Sequence, residues 1–275
     1  MRAQLLTTVL IATAQAVYED LPTVQEADFV EKWFSAKVNH FNYQSNETYL
    51  QRYWSNDVYC EDEASCPIFV YICGEYTCSV PAFRFFPFMI GAAHGASLLV
   101  VEHRYYGQSQ PFADWSAENL VHLSSEQALA DLAELLAAHG AGANKKTLVI
   151  GGSYPGALSA WFRVHYPHIA LASWASSGVV QPIVDFWEFD NQVYTSALRS
   201  GQACVDSVQQ ASFYIEGQGL SRDDGETGNA IDNFLNGTPS AGMRTDDFMF
   251  YYADIFVESV QYGNRTDLCA MLAAN

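Results

Sequence analysis

One stretch constrains this chain more than any other. Thr147 to Arg163 reads TLVIGGSYPGALSAWFR. A short apolar β-type run ends in Gly151-Gly152, a serine follows, and a helix-forming segment starts at once. Strand and helix can meet at so sharp a turn only where small residues let their backbones approach. The turn holds Ser153 in strained backbone geometry with its hydroxyl exposed. The helix behind it aims unpaired N–H groups and a positive dipole end at any oxyanion forming there. A Gly-rich strand–helix turn with an incidental serine is the bland alternative, and the apolar strand before and helix after argue against it. The usual G-x-S-x-G pattern has Pro155 in its last place, with Gly156 one step later. Proline in a first helical turn forfeits no hydrogen bond and already has the helical φ, so the physics survives the departure.

The surrounding pattern supplies a sheet for that turn. Pro67 to Cys73 (PIFVYIC), Ala96 to Glu102 (ASLLVVE), Thr147 to Ile150 and a start at Leu171 to Ser173 are short, nearly continuous apolar runs. Runs of this kind indicate parallel strands buried on both faces by helices. Ser124 and Gln127 have the spacing of a capping box, followed by the stripe Leu129, Leu132, Ala133 and Leu136 of a helix lying on the sheet. Strand–helix alternation predicts an open α/β sheet with right-handed crossovers. The expected class is therefore α/β, specifically the N-terminal part of an α/β-hydrolase core over residues 17–186. From 187 to 275 the character changes. A polar, Gly-rich stretch carrying Asp223, Asp224 and Glu226 precedes Thr245 to Gln261, read as a helix capped by Thr245 with Phe248, Tyr251, Tyr252 and Ile255 on one face. This region reads as the start of a helical insertion.

Arg2, the apolar run Leu5 to Ala14 and the small-x-small triplet Ala14-Gln15-Ala16 form a secretory signal pattern, with cleavage expected before Val17. No later stretch reaches eighteen uninterrupted apolar residues, so no membrane anchor is expected. Secretory entry makes the six cysteines of the 275 residues disulfide candidates. Cys60–Cys66 and Cys73–Cys78 are plausible local bridges and Cys204–Cys269 a plausible long one. Their spacings lack the tight C-x2-C knuckle of a zinc site. No metal and no cofactor is expected. Asn46, Asn264 and, ahead of Pro239, Asn236 begin glycosylation sequons. With 31 acidic against 13 basic residues, a net charge of −18, the chain is a poor candidate for nucleic acid or anionic membranes. At 14% aromatic and 16% charged residues it is not a disordered one.

The chemistry suggested by the turn is nucleophilic attack by Ser153, with the N–H of Tyr154 as first oxyanion donor. A second donor should come from the loop after an earlier strand, where Gly74 or Glu75 fits. Glu75 could instead bind a substrate's amino group or face solvent. The loop Glu102 to Ser109 closes the second strand at the end where α/β sheets bind ligands, which makes Tyr105 a substrate-contact candidate. His103 in that loop could act as a base, but a structural histidine tied into a turn beside Arg104 is the better reading.

These segments together resemble serine peptidase family S28. The resemblance rests on WFSAKVNHFN (33–42), QRYW (51–54), CGEYTC (73–78), EHRYYG (102–107), SEQAL (125–129), GGSYPGALSAW (151–161), YPH (166–168) and the stretch from Phe248 to Cys269. The wording is closer to plant and protist members than to vertebrate ones. The resemblance implies a serine exopeptidase that removes residues next to proline from peptides, as a carboxypeptidase or a dipeptidyl peptidase, in a secreted or lysosomal, vacuole-like lumen. It implies Ser153 as nucleophile; a homodimer is left open. A triad needs a base and an orienting carboxylate, in the chain order Ser, Asp or Glu, His. After Ser153 the only histidines are His165 and His168, too far along the following helix to reach it, although carboxylates such as Asp185, Asp190, Asp206 and Asp254 are plentiful. The family carries its Asp and His beyond the insertion, so this chain reads as C-terminally truncated, inactive alone and poorly stable. A catalytically dead secreted binding protein, or another α/β-hydrolase such as an esterase or lipase, are the competing readings.

Overall fold

The computed structural model describes residues 21–81, 84–215 and 245–273. The signal segment, the sequon at Asn236 and the acidic stretch with Asp223, Asp224 and Glu226 lie outside them. The chain divides into two compact units, Met1–Pro182 and Ile183–Asn275.

In the first unit six strands form one sheet: β1 (Val30–Lys37), β2 (Thr48–Asn56), β3 (Ile68–Ile72), β4 (Ser97–Val101), β5 (Thr147–Gly152) and β6 (Ala172–Ser176). Their spatial order is β1-β2-β4-β3-β5-β6. The last four pair in parallel, and the β1–β2 hairpin joins them antiparallel through β2 and β4. The parallel strands are those expected from their apolar runs; the hairpin is an addition. Four helices connect the parallel strands: α1 (Phe86–Ala93), α2 (Ala117–Leu120), α3 (Ser125–Ala138) and α4 (Tyr154–His165). Successive residues of a strand face opposite sides, and β4 shows why its run is continuous. Leu98 and Val100 pack with Phe88 and Ala92 of α1, whereas Leu99 and Val101 pack with Leu132 and Leu136 of α3 and Leu158 and Phe162 of α4. This is the open α/β arrangement expected, a mostly parallel sheet with helices on both faces.

α3 starts as predicted, with the Ser124 hydroxyl accepting from the Gln127 N–H at 3.3 Å. The reciprocal half of the capping box is absent. The Gln127 side chain accepts from the His40 N–H (2.9 Å) and donates to Asn39 Oδ1 (2.8 Å), tying the helix to the loop after β1.

Two buried carboxylates organise the loops above the sheet. Asp131 of α3 takes both arms of the fully buried Arg104 guanidinium at 2.7 Å, and also accepts from the Tyr49 hydroxyl (2.8 Å) and pairs with His40 Nε2 (2.7 Å). Burial, reinforced by the Asp131 charge, raises the Tyr49 pKa well above its ordinary value, so that hydroxyl donates as a neutral group. The remaining Arg104 donors reach the carbonyls of Lys37, Val38 and His122. Glu102 accepts from Arg52 (2.6 and 3.2 Å), the Ser109 hydroxyl (2.8 Å) and the N–H groups of Gln108 and Cys78. It lies so close to Gly107, at φ +55°, that a Cβ there would stand 1.8 Å from Glu102 Oε1.

The second unit contains α5 (Trp187–Leu198), α6 (Gln202–Ile215), α7 (Thr245–Gln261) and α8 (Arg265–Ala273). On α7 the packed face differs from the expected one: Phe248 is buried, but Tyr251 and Ile255 are exposed. Tyr252, on the expected face, lines a cavity of about 360 Å³ together with Met249 and Phe256 and with Val205 and Val208 of α6. Three disulfides are present, Cys60–Cys66, Cys73–Cys78 and Cys204–Cys269, the last joining α6 to α8. Among the described residues no helix is long and apolar enough to cross a membrane, and no cluster of His, Cys, Asp and Glu is arranged to hold a metal.

Removing one partner of a buried ion pair strands the other charge. Asp131→Ala should therefore destabilise the first unit by about 3–5 kcal/mol in urea unfolding. A loss below about 1 kcal/mol, the size typical of a solvent-exposed pair, would show that Asp131 and Arg104 do not hold these loops together.

Candidate active site

The turn between β5 and α4 has the geometry that its sequence demands. Ser153 sits at φ 63°, ψ −127°, a conformation rarely adopted by a residue with a side chain. Its N–H donates to the Ser176 carbonyl at 3.0 Å, and its own carbonyl accepts from the Ala157 N–H at 3.1 Å, opening the helix. The side chain is exposed, and among the described residues nothing hydrogen-bonds its hydroxyl. Tyr154 is the first residue of α4, so its N–H has no partner within the helix.

The steric requirement for glycine falls unevenly. A Cβ on Gly151 would stand 2.0 Å from the Pro155 carbonyl oxygen, and one on Gly156 2.7 Å from the Ser176 oxygen. On Gly152 the nearest such atom is 3.9 Å away. The close crossing that G-x-S-x-G serves with its last glycine is served here by Gly156, while Pro155 turns its ring toward the loop after β3. A Cβ on Gly74 would meet that ring at 2.8 Å. Gly74 thus packs directly against the turn, held there by the Cys73–Cys78 disulfide and by the Cys78 N–H on Glu102.

The Tyr154 side chain runs back under the loop that follows β4. Its hydroxyl lies 3.1 Å from His103 Nε2 and 3.3 Å from the Ser125 hydroxyl at the start of α3. His103 is buried, with Nδ1 2.7 Å from the Arg104 carbonyl. Tyr106 stacks edge-on over His103 at 5.4 Å. Glu75 is exposed, and its charge is felt by His103, Tyr106 and Tyr154.

A sequence model described as "Serine carboxypeptidase S28" matches residues 36–274. The chain belongs to this family. It is 36% identical to the "Probable serine protease EDA2" of Arabidopsis thaliana over 88% of this chain and 49% of that one. It is 34% identical to human lysosomal Pro-X carboxypeptidase over 70% of this chain and 40% of that one. To human thymus-specific serine protease it is 34% identical, over 67% and 37% of the two chains. The chain thus spans about half the length, or less, of these relatives.

In this S28 chain the sequence candidates do not all meet. Ser153, Tyr154, Gly74 and Glu75 gather at one end of the parallel strands. Tyr105 does not join them as a free contact. It is 4% exposed and its hydroxyl donates to the Asn119 carbonyl, because its φ of +69° turns the side chain into the protein. The partly exposed aromatic of that loop is its neighbour Tyr106, which sequence reasoning passed over. His103 is the structural histidine expected, with both ring nitrogens engaged. All seven histidines lie among the described residues, and none bonds Ser153. His165 ends the helix that Tyr154 begins, about 17 Å along it at ~1.5 Å per residue. Asp185, Asp190, Asp206 and Asp254 belong to the second unit. Asn46 and Asn264 are exposed.

The unequal crowding gives a paired test. Gly151→Ala should lower stability by roughly 2–3 kcal/mol, because the obstructing atom is backbone and cannot move aside. Gly152→Ala should change it by less than about 1 kcal/mol. Equal melting temperatures for the two variants would contradict the crossing described.

Proposed function

We propose that this chain carries the nucleophile and oxyanion elements of a serine exopeptidase acting next to proline in peptides. The observation that carries the reading is the strained, exposed Ser153 at the strand–helix turn of an S28 family member. Ser153 Oγ attacks the scissile carbonyl carbon and its proton passes to a base. The oxyanion accepts from the Tyr154 N–H and from the N–H of Gly74 or Glu75. Collapse, with the proton handed from the base to the leaving nitrogen, expels the amine and leaves an acyl-enzyme that water hydrolyses. Proline preference draws on the relative named Pro-X carboxypeptidase. The Glu75 carboxylate beside the turn would suit a substrate ammonium, the dipeptidyl peptidase mode. The three disulfides support an oxidising, secreted or lysosomal setting, and exposed Asn46 and Asn264 are the proposed glycan sites.

None of the seven histidines, all among the described residues, hydrogen-bonds Ser153, so no histidine base stands ready there and the chain alone should not turn over. A peptide-binding but non-cleaving role is favoured by that same observation.

A fluorophosphonate probe decides. Turn and oxyanion donors alone sustain only residual chemistry, of the order of 10³–10⁴-fold over water in other serine hydrolases. Slow stoichiometric labelling is therefore expected, abolished by Ser153→Ala, with no steady-state cleavage of Pro-containing peptides. Absence of labelling, or labelling that survives Ser153→Ala, would sink the nucleophile assignment. Sustained peptide cleavage by the chain alone would sink the claim that its base is missing.

A further inference from the structure

His103 is a buried, titratable side chain that the proposed chemistry does not use. Its hydrogen bonds define its state. The Arg104 carbonyl can only accept, so Nδ1, at 2.7 Å from it, carries the ring proton. Burial foremost, against the pull of that carbonyl and of Asp131, lowers the His103 pKa from its ordinary value and so favours the neutral ring. Nε2 is then a bare acceptor, and the Tyr154 hydroxyl at 3.1 Å must donate to it. With its proton so committed, the Tyr154 oxygen accepts from the Ser125 hydroxyl at 3.3 Å. The directions around the triad are consistent, and each group is satisfied.

The geometry points to His103 as a positioning residue: through the Tyr154 hydroxyl it holds the Ser153–Tyr154 peptide in its strained conformation. The chain of contacts is mechanical. His103 lies two residues past the end of β4, and the next residue, Arg104, is locked on Asp131 of α3. Ser125 begins α3, and Tyr154 begins α4. The three side chains therefore cross-link one strand end and two helix starts. They meet on the residue whose N–H is the proposed oxyanion donor. The Tyr154 ring also packs on the core of the first unit, so its hydroxyl is a fixed lever on its own backbone. A φ of +63° at a serine persists only where its surroundings over-determine it. The Ser153 N–H bond to Ser176 holds one side of the turn, and the His103–Tyr154–Ser125 strut holds the other. The consequence for catalysis rests on Ser153 being the nucleophile; the strut itself does not.

Three variants of the full chain test this through hydrogen exchange at the Ser153 and Ala157 amides, both bonded across the turn. Tyr154→Phe removes only the hydroxyl and keeps the backbone N–H. His103→Leu removes the acceptor, and His103→Gln returns one near the position of Nε2. Tyr154→Phe and His103→Leu should speed exchange at both amides roughly five- to tenfold, the effect of losing one net hydrogen bond. His103→Gln should stay near the wild-type rate, and amides in the middle of α4 should not change. Should His103→Leu fail to fold, Tyr154→Phe decides alone. Wild-type exchange at both amides in Tyr154→Phe, or a His103→Gln variant as fast as His103→Leu, would overturn the strut. Fluorophosphonate labelling in parallel separates the two claims: an unlabelled wild-type chain counts against the nucleophile, while exchange still decides the strut.

Discussion

The approach of two backbones at the end of β5 governs everything above the sheet. Gly151 lies against the Pro155 carbonyl, and Gly156 against the Ser176 carbonyl and Gly178. With any side chain at 151 or 156, the helix would have to start further along or further away. Ser153 would then relax out of its positive φ, and its hydroxyl would no longer stand clear at the end of the sheet. The strain of one residue in a sparsely populated backbone region, about 1–3 kcal/mol, is sustained because hydrogen bonds from β6 and α4 close on it from two sides.

Around the turn, buried charge supplies direction rather than stability. Replacing a well-paired buried ion pair with apolar residues is often neutral or better, so Arg104–Asp131 and Arg52–Glu102 are not explained by free energy alone. Both acids have their acceptor sites filled by donors from different segments. Asp131 gathers α3, the β1–β2 hairpin and the loop after β4. Glu102 gathers β2, the loop after β4 and the disulfide-closed loop after β3. Through these contacts Gly74, His103 and Ser153, remote in sequence, come to one place.

What could be read from sequence followed from how each element is buried. The parallel strands β3, β4 and β5 are legible because both faces are covered, which leaves an uninterrupted apolar run such as that of β4, whereas the edge strand β6 buries no residue and shows only the start of such a run. The β1–β2 hairpin is not, because β2 buries Gln51, Arg52, Ser55 and Asn56 while β1 is largely exposed. Such a pattern shows neither period nor hydrophobicity. Ser153 was visible through local turn chemistry. The transfer of the steric role to Gly156 was not, nor was the hydrogen bond from Tyr154 to His103, since each depends on an element distant in sequence. On α7 the helical period holds, but the packed face is turned part of a turn away from Tyr251 and Ile255 and toward Met249 and Phe256. Phe248, Tyr252 and Phe256 share the packed side, and aromatic residues on both sides of the helix hid that choice. Tyr105 and Tyr106 are adjacent and chemically alike, and it is Tyr105, at positive φ and bonded to the Asn119 carbonyl, that is buried.

On the proposed chemistry, the strained turn at Ser153 presents its neighbouring N–H groups to an oxyanion. A crystal structure of the chain carrying a phosphonate on Ser153 tests it most directly. One phosphonyl oxygen should lie about 2.7–3.1 Å from the Tyr154 nitrogen and from the nitrogen of Gly74 or Glu75, with Ser153 still at positive φ. An adduct whose oxygens all face solvent, or a Ser153 relaxed to negative φ, would contradict it.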